Sequence, residues 1–412
     1  MKNINPILDE KFTNKITAFL FHRGDSGDPT VLSEQKNRSF IGYDIKGDGF
    51  LFDDNDSAAT SLSTMKTLEL EQRNQSLIYP YLGGEEINTS PTHKNHRFAI
   101  NFGERTLEEC KEWPALLSIL EKKVKPERER KAKEVANWPW WQYWRVRGEL
   151  QASIRNKSFV YAVSRVSQYF NPVQLRSSFI FSDGVVVFAD SRRSFFSCLQ
   201  ARPHELWGRF FASSMKDDLR YTPSDCFETF PFPRGWEQKP ALEAIGQRYH
   251  DFRAALMIAN NEGLTKTYNR FHDPDHDGAG VEGRDPRDVV NDIETLRTLH
   301  DEMDRAVLDA YGWTDLRPTC EFLLDYEEEA DGDDDDGKRR KKKKPWRYRW
   351  PDDVRDEVLA RLLELNKQYA QAEKGQHEES QLDKDTTFAL TASLPSKPAA
   401  AKKKATTKKA SD

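Results

Sequence analysis

Four places in the 412-residue chain carry side chains whose types and spacing could do chemistry. Thr229-Phe230-Pro231-Phe232-Pro233 has the ingredients of the Asp/Asn-Pro-Pro-Tyr/Phe motif that holds a flipped adenine, in which a polar residue accepts from the exocyclic amine and an aromatic stacks on the ring. The order here differs, with no polar residue beside paired prolines. The stretch therefore reads as a joint, its phenylalanines anchoring and its prolines fixing φ. Pro223, Asp225, Glu237 and Lys239 imitate a PD…E-x-K nuclease only loosely. Asp273, Asp275, Asp277 and Gly278 match the opening of a calcium loop, but its twelfth position, where a bidentate glutamate belongs, is Arg284. Gly278 to Gly283 matches G-x-G-x-x-G, yet it follows the polar run Arg270 to Asp277 where a nucleotide fingerprint needs a strand, so it reads as a loop.

Histidines and cysteines add little. His204 lies on a helical run with no nucleophile nearby in sequence and reads as structural. His93 and His96 flank Lys94 and Asn95 on a polar loop that enters a strand, where contact to phosphate or base and simple exposure are both open. Cys110, Cys198, Cys226 and Cys320 form no C-x-x-C pair and are expected to be buried thiols.

Charge is more informative. The net charge of -5 conceals segregation: between Trp138 and Tyr221 twelve basic residues face six acidic ones. Arg155, Lys157, Arg165, Arg176, Arg192, Arg193, Lys216 and Arg220 are the candidates in this stretch for contact with a polyanion, and Arg192 and Arg193, at a helix start, the candidates for phosphate. Taken singly, each reads first as a solvated surface charge.

The elements that must position them are short. Thr17 to Phe21, Arg38 to Ile45, Gly49 to Phe52, Arg97 to Phe102 and Ser158 to Val163 have β composition, and Asp183-Gly184 between β-rich runs predicts a hairpin. Thr106 to Glu109 is a capping box opening one helix through Leu120, with Pro126 expected to break it from the charged run beyond. A helix is expected from Ser194 to Ser213. After Trp236 the period becomes helical, with stripes at Leu242 to Leu256, Val289 to Tyr311 and Val354 to Tyr369. The segment 327–344, acidic then basic, and the tail from about 382 have compositions that cannot order themselves.

Leu199 to Pro233 resembles the end of the target-recognition region of large adenine-specific DNA methyltransferases of the MmeI-like (type IIL/IIG) restriction-modification and phage-defence kind. Ile78 to Phe102 resembles that region's earlier signature. Glu262 to Pro274 and Pro345 to Asn366 are similar to the helical C-terminal part of the same proteins. The resemblance implies an α+β target-recognition domain over 16–236, a helical domain over 237–372 and a basic tail over 382–412. It implies sequence-specific recognition of double-stranded DNA. The family's methyl-donor and base-holding motifs are not found in this sequence, so S-adenosylmethionine is expected on a separate methyltransferase catalytic subunit and not on this chain. A noncatalytic scaffold, an enzyme acting alone and a remnant of a truncated gene are the rival readings. With no apolar run near twenty residues and no apolar signal region at Met1, a cytoplasmic protein without a membrane partner is expected.

Overall fold

The computed structural model describes residues 7–8, 11–12, 17–19, 27–215, 218–324 and 346–392. The strands that matter here are β1 (Ser39–Ile41), β2 (Leu51–Phe52), β3 (Ile78–Leu82), β4 (Arg97–Ile100), β5 (Phe159–Ser164), β6 (Val166–Ser167), β7 (Val173–Arg176), β8 (Ile180–Phe181), β9 (Val185–Phe188), β10 (Ser213–Met215), β11 (Asp218–Arg220), β12 (Glu321–Leu324) and β13 (Trp346–Arg349). The helices are α1 (Leu62–Leu68), α2 (Gly84–Thr89), α3 (Pro114–Glu129), α4 (Gly148–Ile154), α5 (Arg193–Gln200), α6 (Arg202–Phe211), α7 (Pro240–Asn260), α8 (Leu264–Phe271), α9 (Pro286–Tyr311) and α10 (Asp352–Ala392). The fold is α+β, as expected. Among the described residues no helix is long and apolar enough to cross a membrane.

Two four-stranded sheets dominate the first part of the chain, in the orders β8-β3-β4-β2 and β1-β9-β5-β7, and a small sheet β10-β11-β6 extends from the second. Among the strands described, β8 against β3 is the one parallel pair. The second sheet is covered by helix: Tyr161 of β5 stacks on Phe196 of α5 at 5.3 Å between ring centroids. Residues Val160 to Ser164 are all buried, which explains why this strand reads as a continuous apolar run and not as an alternating one.

Asp183-Gly184 is not a hairpin turn. β8 ends in the first sheet and β9 begins in the second, paired with β1 and β5, so the two strands flanking Asp-Gly never pair with each other. The dipeptide turns the chain at a corner between sheets. Gly42 is forced at the same corner, since a Cβ there would sit 2.1 Å from the Ser182 carbonyl oxygen and 2.5 Å from that of Phe181. Backbone cannot retreat as a flexible side chain can, so Gly42→Ala is expected to cost about 1–3 kcal/mol in urea-induced unfolding. A loss within experimental error would mean that the corner is slack.

Other sequence expectations need correction. Thr17 to Phe19 is irregular and turn, not strand, and Leu20 and Phe21 lie outside the described residues. The capping box is present, Thr106 Oγ1 accepting from the Glu109 N–H at 3.3 Å, but its helix stops at Cys110 because Pro114 restarts the turn as the first residue of α3. Pro126 lies inside α3 and does not end it. Only the last turn follows it, and that turn is anchored by buried Arg128, which donates to the carbonyls of Ile45 (2.7 Å), Lys46 (3.1 Å) and Pro139 (2.9 Å). The helix expected from Ser194 to Ser213 is two helices: Ala201 adopts ψ 153° and Pro203 sits in the first turn of α6. The later helical stripes form α7, α9 and α10.

The Pro-rich stretch is a joint. Phe227, Phe230 and Phe232 are at most 2% exposed. Tyr311 of α9 donates its hydroxyl to the Pro231 carbonyl at 2.9 Å, and Asn366 of α10 donates to that of Thr229 at 2.7 Å. Asp225, part of the loose nuclease-like pattern, is exposed and accepts from Thr222 and Ser224 at 2.9 Å. All four cysteines are buried and free.

Candidate nucleic-acid interface

The basic residues separate according to what holds them. Strand β5 puts Arg155 and Lys157 before its first residue and Arg165 after its last, so about 20 Å divides them. Arg176, opposite Phe159, joins Arg155 and Lys157 at the first end. The five cations Arg155, Lys157, Arg165, Arg192 and Arg193 therefore do not gather at one place, because an extended strand carries its two ends apart. Lys216 lies outside the described residues.

Arg192 and Arg193 have internal partners. Arg192 meets Asp190 through Nε (3.0 Å) and Nη2 (2.5 Å), and its guanidinium lies 4.4 Å from the centre of the Trp236 ring. Arg193 uses all three guanidinium nitrogens: Nε to Gln247 (2.9 Å), Nη1 to the Tyr161 hydroxyl (2.9 Å) and Nη2 to Gln174 (3.1 Å). It staples the sheet to α7. On the loop after α2, Lys94 is exposed, Asn95 donates to the Arg97 carbonyl at 2.8 Å, and His96 Nδ1 lies 3.4 Å from Glu86. His93 is turned inward on Ile87, and its burial lowers its pKa to about 4.

The other end of β5 forms an open cleft of about 650 Å³. Arg165 and Arg220 line it from adjacent strands, since Arg220 pairs with Val166. The Arg165 backbone is pinned on both sides, its N–H to Gly184 and its carbonyl to the Tyr221 N–H, each at 2.8 Å. Its Nε is shielded from solvent and has no hydrogen-bond partner among the described residues. The facing wall is α2, with Glu85, Asn88 and Thr89, and Asp183 stands on the rim. That wall is fixed from behind. Glu86, 2% exposed, accepts from the Gly83 N–H at 2.9 Å and takes a bidentate pair from Arg97 at 2.6 and 2.7 Å. Burial opposes the Glu86 charge, but the Arg97 bonds outweigh it and hold the carboxyl below its ordinary range. Sequence reasoning missed Glu85, Asn88, Thr89 and Asp183 as lining residues. The six-residue α2 is too short to show a helical period, and the corner at Asp183 reads as a hairpin.

The remaining chemistry resolves into structure. His204 is fully buried, with Nε2 2.9 Å from the Tyr221 hydroxyl, and burial lowers its pKa to about 3. Gly278, Gly280 and Gly283 have left-handed φ in the connection between α8 and α9, with a helix and not a strand ahead of them, so they do not suit the pyrophosphate of a dinucleotide. Asp273 and Asp277 each accept a hydrogen bond from a backbone N–H two residues on. Asp301, Asp304 and Cys320 come close enough to hold a metal ion, but the Arg202 guanidinium already donates to both carboxylates.

Residues 44–234 match the family model of the MmeI target recognition domain. Among solved structures, the chain is similar to the Type IIL restriction-modification enzyme MmeI in complex with DNA, at 17% identity and a TM-score of 0.53. That likeness covers 88% of this chain and 39% of the other, so the chain spans well under half of that enzyme's length. No curated protein matches the chain.

Proposed function

We propose that this chain is the duplex-DNA-reading module of an adenine-specific DNA methyltransferase of the restriction-modification and phage-defence kind, working with a separate catalytic subunit that carries S-adenosylmethionine. The observation that carries the reading is the cleft at the end of β5. Its two arginines, amide and two carboxylates are the side-chain types that read base edges: arginine bidentate to guanine, asparagine to adenine, an acid accepting from cytosine. A purely electrostatic groove would not carry Glu85 and Asp183. The target-recognition match over 44–234 supports the same reading.

The two classes of arginine give the test. Arg165→Ala and Arg220→Ala, assayed against randomised duplex at several salt concentrations, are expected to act on binding without loss of stability. A phosphate contact shows as a salt slope smaller by about 0.9, and a base contact as roughly 1–3 kcal/mol of lost preference at one base pair. Arg193→Ala is expected to lower thermal stability and leave the salt slope alone. If both cleft variants bind as the parent chain does, the reading surface is elsewhere. A chain that does not bind duplex at all fits the scaffold reading.

A further inference from the structure

A second cleft, of about 440 Å³, lies between the N-terminus of α4 and β1. Its wall is Trp138 and Trp144, its cations Arg145 and Arg147, with Phe40 among the lining and Glu149 at the helix start. Trp138 is 37% exposed, and its indole N–H is fixed on the Tyr143 carbonyl at 2.9 Å. The two indoles meet edge to face at 5.7 Å, and the Arg145 guanidinium covers the Trp144 ring at 5.4 Å. Of the two indoles Trp138 is the more exposed.

The cations are placed without acidic partners. Neither Arg145 nor Arg147 forms a salt bridge among the described residues, and the nearby Asp44 carboxylate is engaged by Lys46 at 3.3 Å. Burial and then the charge of Arg145 lower the Arg147 pKa, so two like charges are held together at a cost. Arg147 also takes left-handed φ of 50°, with Nε on the Gly42 carbonyl at 3.0 Å. Asp44 and Asp183 offset part of the Arg147 charge, but neither guanidinium has an acid in salt-bridge contact among the described residues, and two such groups beside a half-exposed indole fit a ligand that is flat at one end and anionic at the other.

We propose that this cleft binds an unpaired nucleotide, its base stacked on Trp138 and its phosphate held by Arg145 and Arg147. A base standing outside a DNA strand and a free mononucleotide present the same chemistry. The two clefts share no lining residue, although Asp183 and Arg165 of the first act on the charge of Arg147.

Tryptophan fluorescence of the full chain, titrated with deoxyadenosine monophosphate and separately with a single-stranded tetranucleotide, tests the site. Quenching by either probe is expected. Trp138→Leu should weaken it about five- to a hundredfold, the range of one base–aromatic stack. Arg145→Glu, an exposed position that no core contact requires, should weaken it as well and keeps the test independent of any folding defect in the tryptophan variant. Arg165→Ala/Arg220→Ala should retain it, so loss of duplex binding and loss of nucleotide binding are separable. Equal affinity for the two probes assigns the free nucleotide; preference for the tetranucleotide assigns a base within a strand. Absence of quenching by both probes, or wild-type binding by Arg145→Glu, overturns the proposal.

Discussion

Acidifying the protein from pH 6.5 to 4.5 is expected to remove roughly 4–5 kcal/mol of folding stability through His204 and His272 alone. Both are buried. Burial lowers the His204 pKa to about 3, and burial together with Arg347, Arg202 and Arg209 drives His272 well below its ordinary value. The folded pKa values lie below the unfolded value of about 6.5, so between the two the unfolded chain binds protons that the folded chain refuses. Stability therefore falls as pH falls through this window, by about 1.4 kcal/mol per unit for each histidine. His93 and His250, each lowered to about 4 mainly by burial, add in the same direction. Urea unfolding at pH 6.5, 5.5 and 4.5 measures the slope, and His204→Leu should reduce it by one histidine's share. A flat profile across that range would mean that these rings reach water.

Asp304→Ala is expected to cost about 3–5 kcal/mol, the penalty for leaving a buried charge without its partner. Arg202 opens α6, and its side chain is 4% exposed. Its Nη1 donates to Asp304 and, at 3.2 Å, to Asp301, while its backbone N–H meets the other Asp304 oxygen at 2.8 Å. Nη2 reaches the Tyr348 carbonyl at 3.3 Å. One guanidinium thus binds α6, α9 and β13 together. Burial opposes the Asp304 charge, but Arg202 outweighs it and holds that carboxyl below its usual range; the same pairing raises Arg202. Arg202→Met combined with Asp304→Leu should recover much of the loss, because removing both charges leaves neither stranded. A single-variant loss under about 1 kcal/mol in urea unfolding would show that Asp301 alone suffices.

How much of this was legible depends on range. The stripe from Val289 to Tyr311 spans about six turns and predicts α9 because the spacing that defines it is local. Thr106 and Glu109 are three residues apart, and their box is present for the same reason. Arg193 reads as a free cation because the three groups that use its guanidinium stand at positions 161, 174 and 247, and no spacing announces that they converge. Of the basic residues named from sequence as candidates for contact with DNA, Arg165 and Arg220 are brought together by the pairing of β6 with β11, whereas Arg155 and Arg176 are carried to the far end of the sheet. Arg145 and Arg147 were only two among twelve basic residues until the left-handed turn at Arg147 set them against the tryptophans.

Strands β12 and β13 pair in register up to Leu324 opposite Trp346. Paired residues in an antiparallel ladder stand about 5 Å apart, so Leu324 and Trp346, 22 positions apart in sequence, are neighbours in space. Nothing in the ladder depends on the number or kind of residues threaded between those two feet. The ladder itself therefore sets where Arg347 and Tyr348 stand, the first donating to the Gln168 carbonyl at 2.8 Å and the second to Asp301 at 2.9 Å.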